Sequence, residues 1–501
     1  MLQLIGRARK YTERTAITSG GAVFRYEDLL AASHHLASVL LDGRDDLMEA
    51  PVAFMVSPGF DYVRTQWAIW RAGGIAVPLC LSHPPPALRY VLEDTDSRTL
   101  VISPGREAGF TELARQRNIR LVVLPSEGPA PLAPLPEIEP FRRAMILYTS
   151  GTTSRPKGVV ITHANLEAQI STLVQAWGWR EDDCTLCVLP LHHIHGIVNV
   201  VSCALWAGAR CEFLPEFSPA GVLASFDEGR VSVFMAVPTI YHKLIAAWER
   251  LAAARQRNLS QKMRDFRLMV SGSAALPVSV LERWRAISCH TLLERYGMTE
   301  IGMALSNPLH GERRPGFVGT PLPGVEVRLA DNSGNDVPDG EPGEIFVRGQ
   351  NVFLEYWNRP EATREAFVSE GWFKTGDVAV VEKGYYRILG RDSVDIIKSG
   401  GYKISALEIE EALRLHSAVR DCSVVGIENE EWGEVVAAVV VPSESGADLE
   451  ELDRWLRSQL PSYKIPRRWA VAEALPRNAM GKVTKNELKS RVLSARLHDS
   501  I

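Results

Sequence analysis

Past Ile146 the chain leaves an apolar run for Thr149-Ser-Gly-Thr-Thr-Ser-Arg-Pro-Lys-Gly158. Such a loop suits phosphate. Small residues let backbone N–H groups approach phosphate oxygens, the Thr and Ser hydroxyls donate, and Lys157 neutralises charge. It is not a P-loop: four residues after Gly151 one would need Gly-Lys-[Ser/Thr], and Pro156-Lys157-Gly158 stands there instead. Taken alone, the segment also reads as a solvated hydrophilic loop. Further on, carboxylates, hydroxyls and cations recur in short glycine-bearing runs: Tyr296-Gly-Met-Thr-Glu300, Gly371-Trp-Phe-Lys-Thr-Gly-Asp377, Gly390-Arg391, Lys398-Ser-Gly-Gly-Tyr-Lys-Ile-Ser-Ala-Leu-Glu-Ile-Glu410 and Pro476-Arg-Asn-Ala-Met-Gly-Lys482. Each has a plain alternative. Asp377 could be a turn residue, Tyr296 part of a core, and Lys482 a solvated surface charge.

Groups so far apart in sequence must be assembled by a large fold. At 501 residues the chain has room for about three domains. Leu100-Val-Ile, Leu121-Val-Val-Leu and Ala144-Met-Ile-Leu read as buried strands; residues 33–41, 164–177 and 281–288 read as helices. This alternation predicts an α/β fold with mostly parallel sheets. Residues 125–140 hold six prolines, which marks a surface connection before a strand. Asp331-Asn-Ser-Gly-Asn-Asp-Val-Pro-Asp-Gly340 is turn-rich between two strand-like runs, as in a hairpin. From about residue 391, strands at 423–426 and 435–441 and helices at 405–415 and 448–460 make up a small domain of their own.

Lys+Arg is 56 against Asp+Glu 60, a net charge of −4, which argues against an electrostatic nucleic-acid binder. The longest apolar stretches, such as Val435–Val441, fall short of the roughly 20 residues that span a bilayer. The N-terminus has no apolar signal core, so no membrane association and a cytoplasmic location are expected. Seven cysteines are an odd, sparse set that fits a reducing compartment. Cys184 and Cys187 form a lone CxxC without a second ligand pair, so two buried thiols are expected rather than a metal or redox site.

The loop at 149–158 resembles the phosphate-binding signature of the adenylate-forming superfamily, which includes acyl-CoA synthetases, adenylation domains of peptide synthetases and luciferases. The five later runs resemble that family's other signatures and follow in its order, so the resemblance covers essentially the whole chain. It implies a large multi-subdomain N-terminal region (1–390) that binds AMP and acyl group, and a small mobile α+β cap (391–501). It also implies a two-step reaction: a carboxylate attacks the α-phosphate of ATP to give acyl-AMP and pyrophosphate, and the thiol of coenzyme A then displaces AMP. By resemblance, Thr149, Ser150, Gly151, Thr152, Thr153 and Lys157 hold the β- and γ-phosphates. Tyr296 stacks on adenine, with Ser273, Ala274 and Ala275 against the base and Glu294, Gly297 and Met298 beside it. Thr299 touches the α-phosphate. Glu300, with Thr152, holds Mg²⁺. Asp377 takes the ribose hydroxyls with help from Arg391. Lys482 is the catalytic cation that the cap brings in. Rotation of the cap replaces it with Gly400 and Gly401, next to Tyr402, along a pantetheine tunnel. Two departures stand out: Ser154 where Gly is usual, and Arg391-Asp-Ser-Val-Asp395, one residue longer than in many members, which puts the hinge at Ser393.

The acid is set by the acyl pocket. Arg295 stands just before Tyr296-Gly297, where many fatty-acyl and aryl ligases carry a neutral residue. It could pair with Glu294 as scaffolding or clamp a second substrate carboxylate; neighbours on a strand face opposite ways, which favours the clamp. Pro190-Leu-His-His-Ile-His-Gly-Ile-Val-Asn199, Phe234–Tyr241, Leu268–Pro277 and Leu292–Met303 resemble the malonyl-CoA synthetases, in which an Arg and a Ser hold the distal carboxylate of malonate; Arg295 and Ser273 stand at the matching positions. His193 and Met303 are expected to line the walls and decide whether the methyl branch of methylmalonate fits, although His193 could equally be a packing residue. The resemblance thus implies a malonate–CoA ligase using ATP, Mg²⁺ and CoA, expected to be a monomer. The alternatives are a short- or medium-chain monocarboxylate–CoA ligase, an enzyme that loads a carrier protein, and a nucleotide-binding regulator without turnover.

Overall fold

The computed structural model describes residues 2–125, 132–149, 156–214, 216–331, 333–399, 402–429, 431–443, 446–477, 482–494 and 498–499. Aliphatic runs without alternation make strands buried on both faces, the habit of parallel sheets. Val233–Ala236 and Leu268–Ser271 are such runs, buried throughout. They sit in a nine-stranded sheet in which Thr15–Ser19, Arg210–Phe213, Cys184–Cys187, Val233–Ala236, Leu268–Ser271 and Leu293–Met298 run parallel in that spatial order. Antiparallel strands close it: Ala22–Arg25 at one edge, Gly302–Ser306 and Thr320–Pro321 at the other. A seven-stranded sheet repeats the plan. Arg120–Val123, Thr99–Ile102, Pro51–Met55, Ile75–Pro78 and Arg143–Thr149 run parallel, followed by antiparallel Lys157–Thr162 and Glu355–Tyr356.

One apolar cluster joins both sheets, with Ile17, Leu186 and Phe234 from the first, Met145 and Leu147 from the second, Trp67 and Trp284 from helices, and Trp177 at a helix end. Each such side chain contributes about 1.5–3 kcal/mol on burial. Cys184 and Cys187 lie buried on one strand, and among the described residues neither they nor any other group forms a metal-binding cluster. No helix of the described residues is long and apolar enough to cross a membrane.

The turn-rich stretch after 330 does join two antiparallel strands, Val325–Ala330 and Gly343–Gly349, with Ala330 opposite Glu344. They belong to a third, four-stranded antiparallel sheet completed by Phe373–Glu382 and Tyr385–Arg391. The small C-terminal unit is built on one six-stranded sheet, largely antiparallel. Its strands alternate. Val424, Val436 and Val440 pack on the helices Ala406–Arg414 and Leu449–Gln459, while Val425, Val435 and Val439 face Leu475 and Leu488. Ser405 caps the first helix by accepting the Glu408 N–H at 3.3 Å.

The passage between the two units is short. Arg391 still pairs with Asp377 in the four-stranded sheet, and the Asp392 N–H still bonds the Gly376 carbonyl at 2.9 Å. By Asp395 the chain is held to the small unit, through Lys485 at 2.6 Å and the Ala406 N–H at 2.8 Å. Ser393, exposed, lies between these anchors.

Candidate active site

The strand Leu293–Met298 and its hairpin partner Gly302–Ser306 carry most of the site. Gly297 faces Met303 so closely that a Cβ there would collide with the Gly302 carbonyl oxygen. Buried Gln169 braces the hairpin by accepting the Met303 N–H. Period-2 alternation then sends Tyr296 and Arg295 to opposite faces.

On the Tyr296 face, the phenol donates to Asp377 Oδ2 at 2.6 Å. Arg391 Nε lies 3.7 Å from Asp377 Oδ1 while its Nη2 donates to the Thr375 carbonyl at 2.9 Å. Burial raises the Asp377 pKa; Arg391, the Tyr296 phenol and Lys482 offset only part of that rise. Lys482 of the small unit is therefore close to Asp377, on a side chain otherwise exposed. The structure thus gathers Tyr296, Asp377 and Arg391 from three segments, and the Lys482 charge of the small unit is felt at Asp377.

Thr299 and Glu300 form the hairpin turn. Glu300 is 5% exposed, and its Oε1 accepts from the Tyr356 phenol at 2.9 Å. The Lys157 ammonium sits over the Tyr356 ring, 4.8 Å from its centroid. Tyr356, which no motif in the sequence singles out, therefore joins the turn to the phosphate-loop strand. Burial raises the Glu300 carboxyl, and among the described residues no lysine or arginine is ion-paired with it. A buried, hard carboxylate with no ion-paired cation among the described residues fits a Mg²⁺ ion. Thr149 and Lys157 face each other at the ends of their strands. Ser150, Gly151, Thr152 and Thr153 lie outside the described residues, as do Gly400 and Gly401. Tyr402 is exposed and stacks on Tyr463, centroids 4.5 Å apart.

On the other face, Arg295 is 3% exposed and has no carboxylate partner among the described residues; its Nε is enclosed and unbonded. Burial pulls its pKa down to about 9, so it is still a cation at neutral pH. The guanidinium lies flat on Gly272, where a Cβ would come within 2.5 Å of Cζ. Its Nη2 donates to Ser273 Oγ at 3.4 Å. Glu294 does not pair with it. The backbone at Gly316 and Leu276 favours the charged form of that carboxyl, but burial outweighs this and pushes its pKa up to about 8; its Oε2 is enclosed without a hydrogen-bond partner among the described residues. Ala274 and Ala275 are exposed. Met303 is buried. His193 packs on His192, centroids 4.0 Å apart, and burial takes its pKa down to about 4. The histidine that reaches Ser273 is instead His195, at 3.1 Å.

A large α/β body with a small α+β unit is the adenylate-forming enzyme fold. The chain belongs to the AMP-binding enzyme family, whose model matches residues 5–357, with the family's C-terminal domain matching 408–482. It is 46% identical to the mitochondrial malonate–CoA ligase ACSF3 of Xenopus laevis, over 97% of this chain and 91% of the relative. Among solved structures it is similar to ATP-bound MatB from Rhodopseudomonas palustris (33% identity, 98% of each chain, TM-score 0.88). It is also similar to a malonyl-CoA ligase in a ternary product complex with methylmalonyl-CoA and AMP (34% identity, 95% of this chain and 100% of that one, TM-score 0.69).

Proposed function

We propose that this chain is an AMP-forming malonate–CoA ligase, with methylmalonate as a second acid. The observation that carries the reading is Arg295, a buried cation without a carboxylate partner among the described residues, poised beside Ser273. An unpaired buried charge costs several kcal/mol. A diacid's second carboxylate removes that cost, whereas a monoacid leaves it standing. The 46% identity to a malonate–CoA ligase supports the same conclusion.

In the first step a malonate carboxylate oxygen bonds to the α-phosphorus of ATP and the bond to pyrophosphate breaks. Tyr296 and Asp377 orient adenosine, and Thr149 to Thr153 with Lys157 hold the leaving phosphates. Lys482 places its ammonium against charge that grows at the α-phosphate, the kind of contact worth roughly 3 kcal/mol in a transition state. Mg²⁺, when held by Glu300, neutralises phosphate charge. In the second step the thiolate of CoA displaces AMP. The proposed units are 1–390 and 391–501, and turning at Ser393 would exchange Lys482 for Gly400-Gly401 and Tyr402. The small unit here fits the first step. The Lys482 charge is felt at Asp377, and the match is better to an ATP-bound relative than to a CoA product complex at nearly equal identity. A monomer in the cytoplasm completes the proposal; gel filtration and cell fractionation test those two points.

The deciding experiment is pyrophosphate release over a panel of acids, with and without CoA. Malonate should give the highest kcat/KM, with turnover dependent on CoA. Equal rates with butyrate would overturn the diacid reading, and turnover supported only by a carrier protein would overturn the CoA reading.

A further inference from the structure

His195 opens a helical segment, His195–Ser202, and is 4% exposed. Its Nδ1 lies 3.1 Å from Ser273 Oγ, while Nε2 is enclosed and has no hydrogen-bond partner among the described residues. Burial, then the neighbouring Arg295 cation, hold its pKa well below the ordinary imidazole value, so the ring is neutral. A neutral imidazole carries one N–H, and its hydrogen-bond network decides which nitrogen bears it. If Nε2 bore the proton, a buried N–H would lack an acceptor. If Nδ1 bears it, the unpartnered atom is only a lone pair. Orphaned buried N–H groups are the rarer of the two in folded proteins. The network therefore puts the proton on Nδ1, donating to Ser273 Oγ.

Arg295 Nη2 donates to the same oxygen at 3.4 Å. A hydroxyl has two lone pairs and one proton. With both lone pairs engaged, the Ser273 proton can only be given away. The residue is also held in a left-handed backbone conformation, φ 69°, which fixes its Cβ direction.

We propose that His195 is a specificity-determining positioning residue: it fixes Ser273 as an obligate hydrogen-bond donor, so this end of the pocket takes only a group that is all acceptor, the distal carboxylate of a short diacid. The inference rests on the diacid reading above and adds to it a residue that need not touch the substrate. Arg295 supplies charge, and His195 sets hydrogen-bond polarity. An alkyl terminus would leave the Ser273 proton and the guanidinium without acceptors, which is rejection rather than mere loss of attraction.

The test measures kcat/KM for malonate and butyrate by pyrophosphate release in the full-length enzyme. His195→Leu removes the donor and should lower the malonate-to-butyrate ratio about tenfold, the weight of one hydrogen bond, through malonate KM with butyrate kcat unchanged. His195→Asn keeps a donor near the Nδ1 position and should restore the ratio to within about threefold of wild type, a rescue that a packing role would not give. In a Ser273→Ala background, His195→Leu should have no further effect on the ratio, because its action runs through Ser273. Additive losses, or a wild-type ratio in His195→Leu, would overturn the inference while leaving the diacid reading intact. A wild-type enzyme that prefers butyrate would overturn both. Should His195→Leu fail to fold, His195→Asp against His195→Asn decides: an acceptor in place of the donor must collapse the ratio, and equal ratios reject the proposal.

Discussion

Two clusters of buried ionisable groups among the described residues are handled in opposite ways. In the small unit, Lys485 is ion-paired with Asp395 at 2.6 Å and Glu410 at 2.8 Å. Glu410 also holds Arg414 at 3.0 Å and accepts the Val424 N–H at 2.8 Å. Burial opposes every charge there, yet the partners win: Asp395 and Glu410 end below their ordinary pKa values and Lys485 above its own. At the acyl end of the cleft burial wins instead. Arg295 falls to about 9 and Glu294 rises to about 8, each without an ion-paired opposite charge among the described residues. A compensated buried cluster is finished as folded; an uncompensated one is completed by something else.

The contrast can be broken first at Lys485. Lys485→Met leaves two buried carboxylates facing each other and should cost about 3–5 kcal/mol of stability, read by denaturant melts of the full chain. Lys482, three residues earlier, should behave oppositely: Lys482→Ala should leave the melt unchanged, abolish acyl-AMP formation by a factor on the order of 10²–10³, and spare thioester formation from supplied malonyl-AMP. Equal loss of both half-reactions would deny it the transition-state role. Arg295→Leu sharpens the other side. It removes an uncompensated cation, so the melting temperature should stay level or rise while malonate kcat/KM falls about a hundredfold, a bidentate charged pair being worth about 3 kcal/mol. A fall in both would make Arg295 scaffolding.

The smaller effect lies across the interface. The helix Val278–Ser288 follows Pro277, which has no capping side chain, and Glu411 of the small unit supplies the cap by accepting the Val278 N–H at 2.8 Å. Glu411→Ala should cost about 1 kcal/mol of this domain arrangement. It should slow adenylation about fivefold and leave thioester formation from malonyl-AMP unchanged; loss in both steps would show that the contact is not specific to this arrangement.

Contiguous chemistry was legible in the residues. The strands at 99–102 and 143–149, the helices 163–176 and 278–288, and the hairpin around 331–340 stand where apolar runs and turn residues place them. The helix read as beginning at 33 begins at Tyr26, because Asp28 caps the Arg25 N–H and a charged first turn hides the start from an apolar count. The donors around the cleft were less legible. His195, Tyr356 and Glu411 act on partners 78, 56 and 133 positions away, pairings that topology creates and spacing does not encode. The same holds for His193, whose neighbour two residues on, rather than itself, reaches Ser273.

The weakest expected effect isolates Glu294. The backbone at Gly316 and Leu276 favours its charged form, but burial dominates, and Glu411 across the interface pushes in the same direction as burial. With a folded pKa of about 8 against an ordinary 4.5, the native state holds a proton that the unfolded chain has released between those values. Stability should therefore be full below about pH 4.5, decline as pH rises toward 8, and level off above it. Glu294→Gln keeps the acceptor oxygen and removes the titration, so its stability should be flatter over that window, with the difference from wild type largest at pH 8. If Glu411→Ala also flattens the wild-type slope in part, the two carboxyls sense each other across the domain boundary. A wild-type curve that rises with pH throughout this range would mean that Glu294 is ionised in the fold, and burial would then not govern its titration.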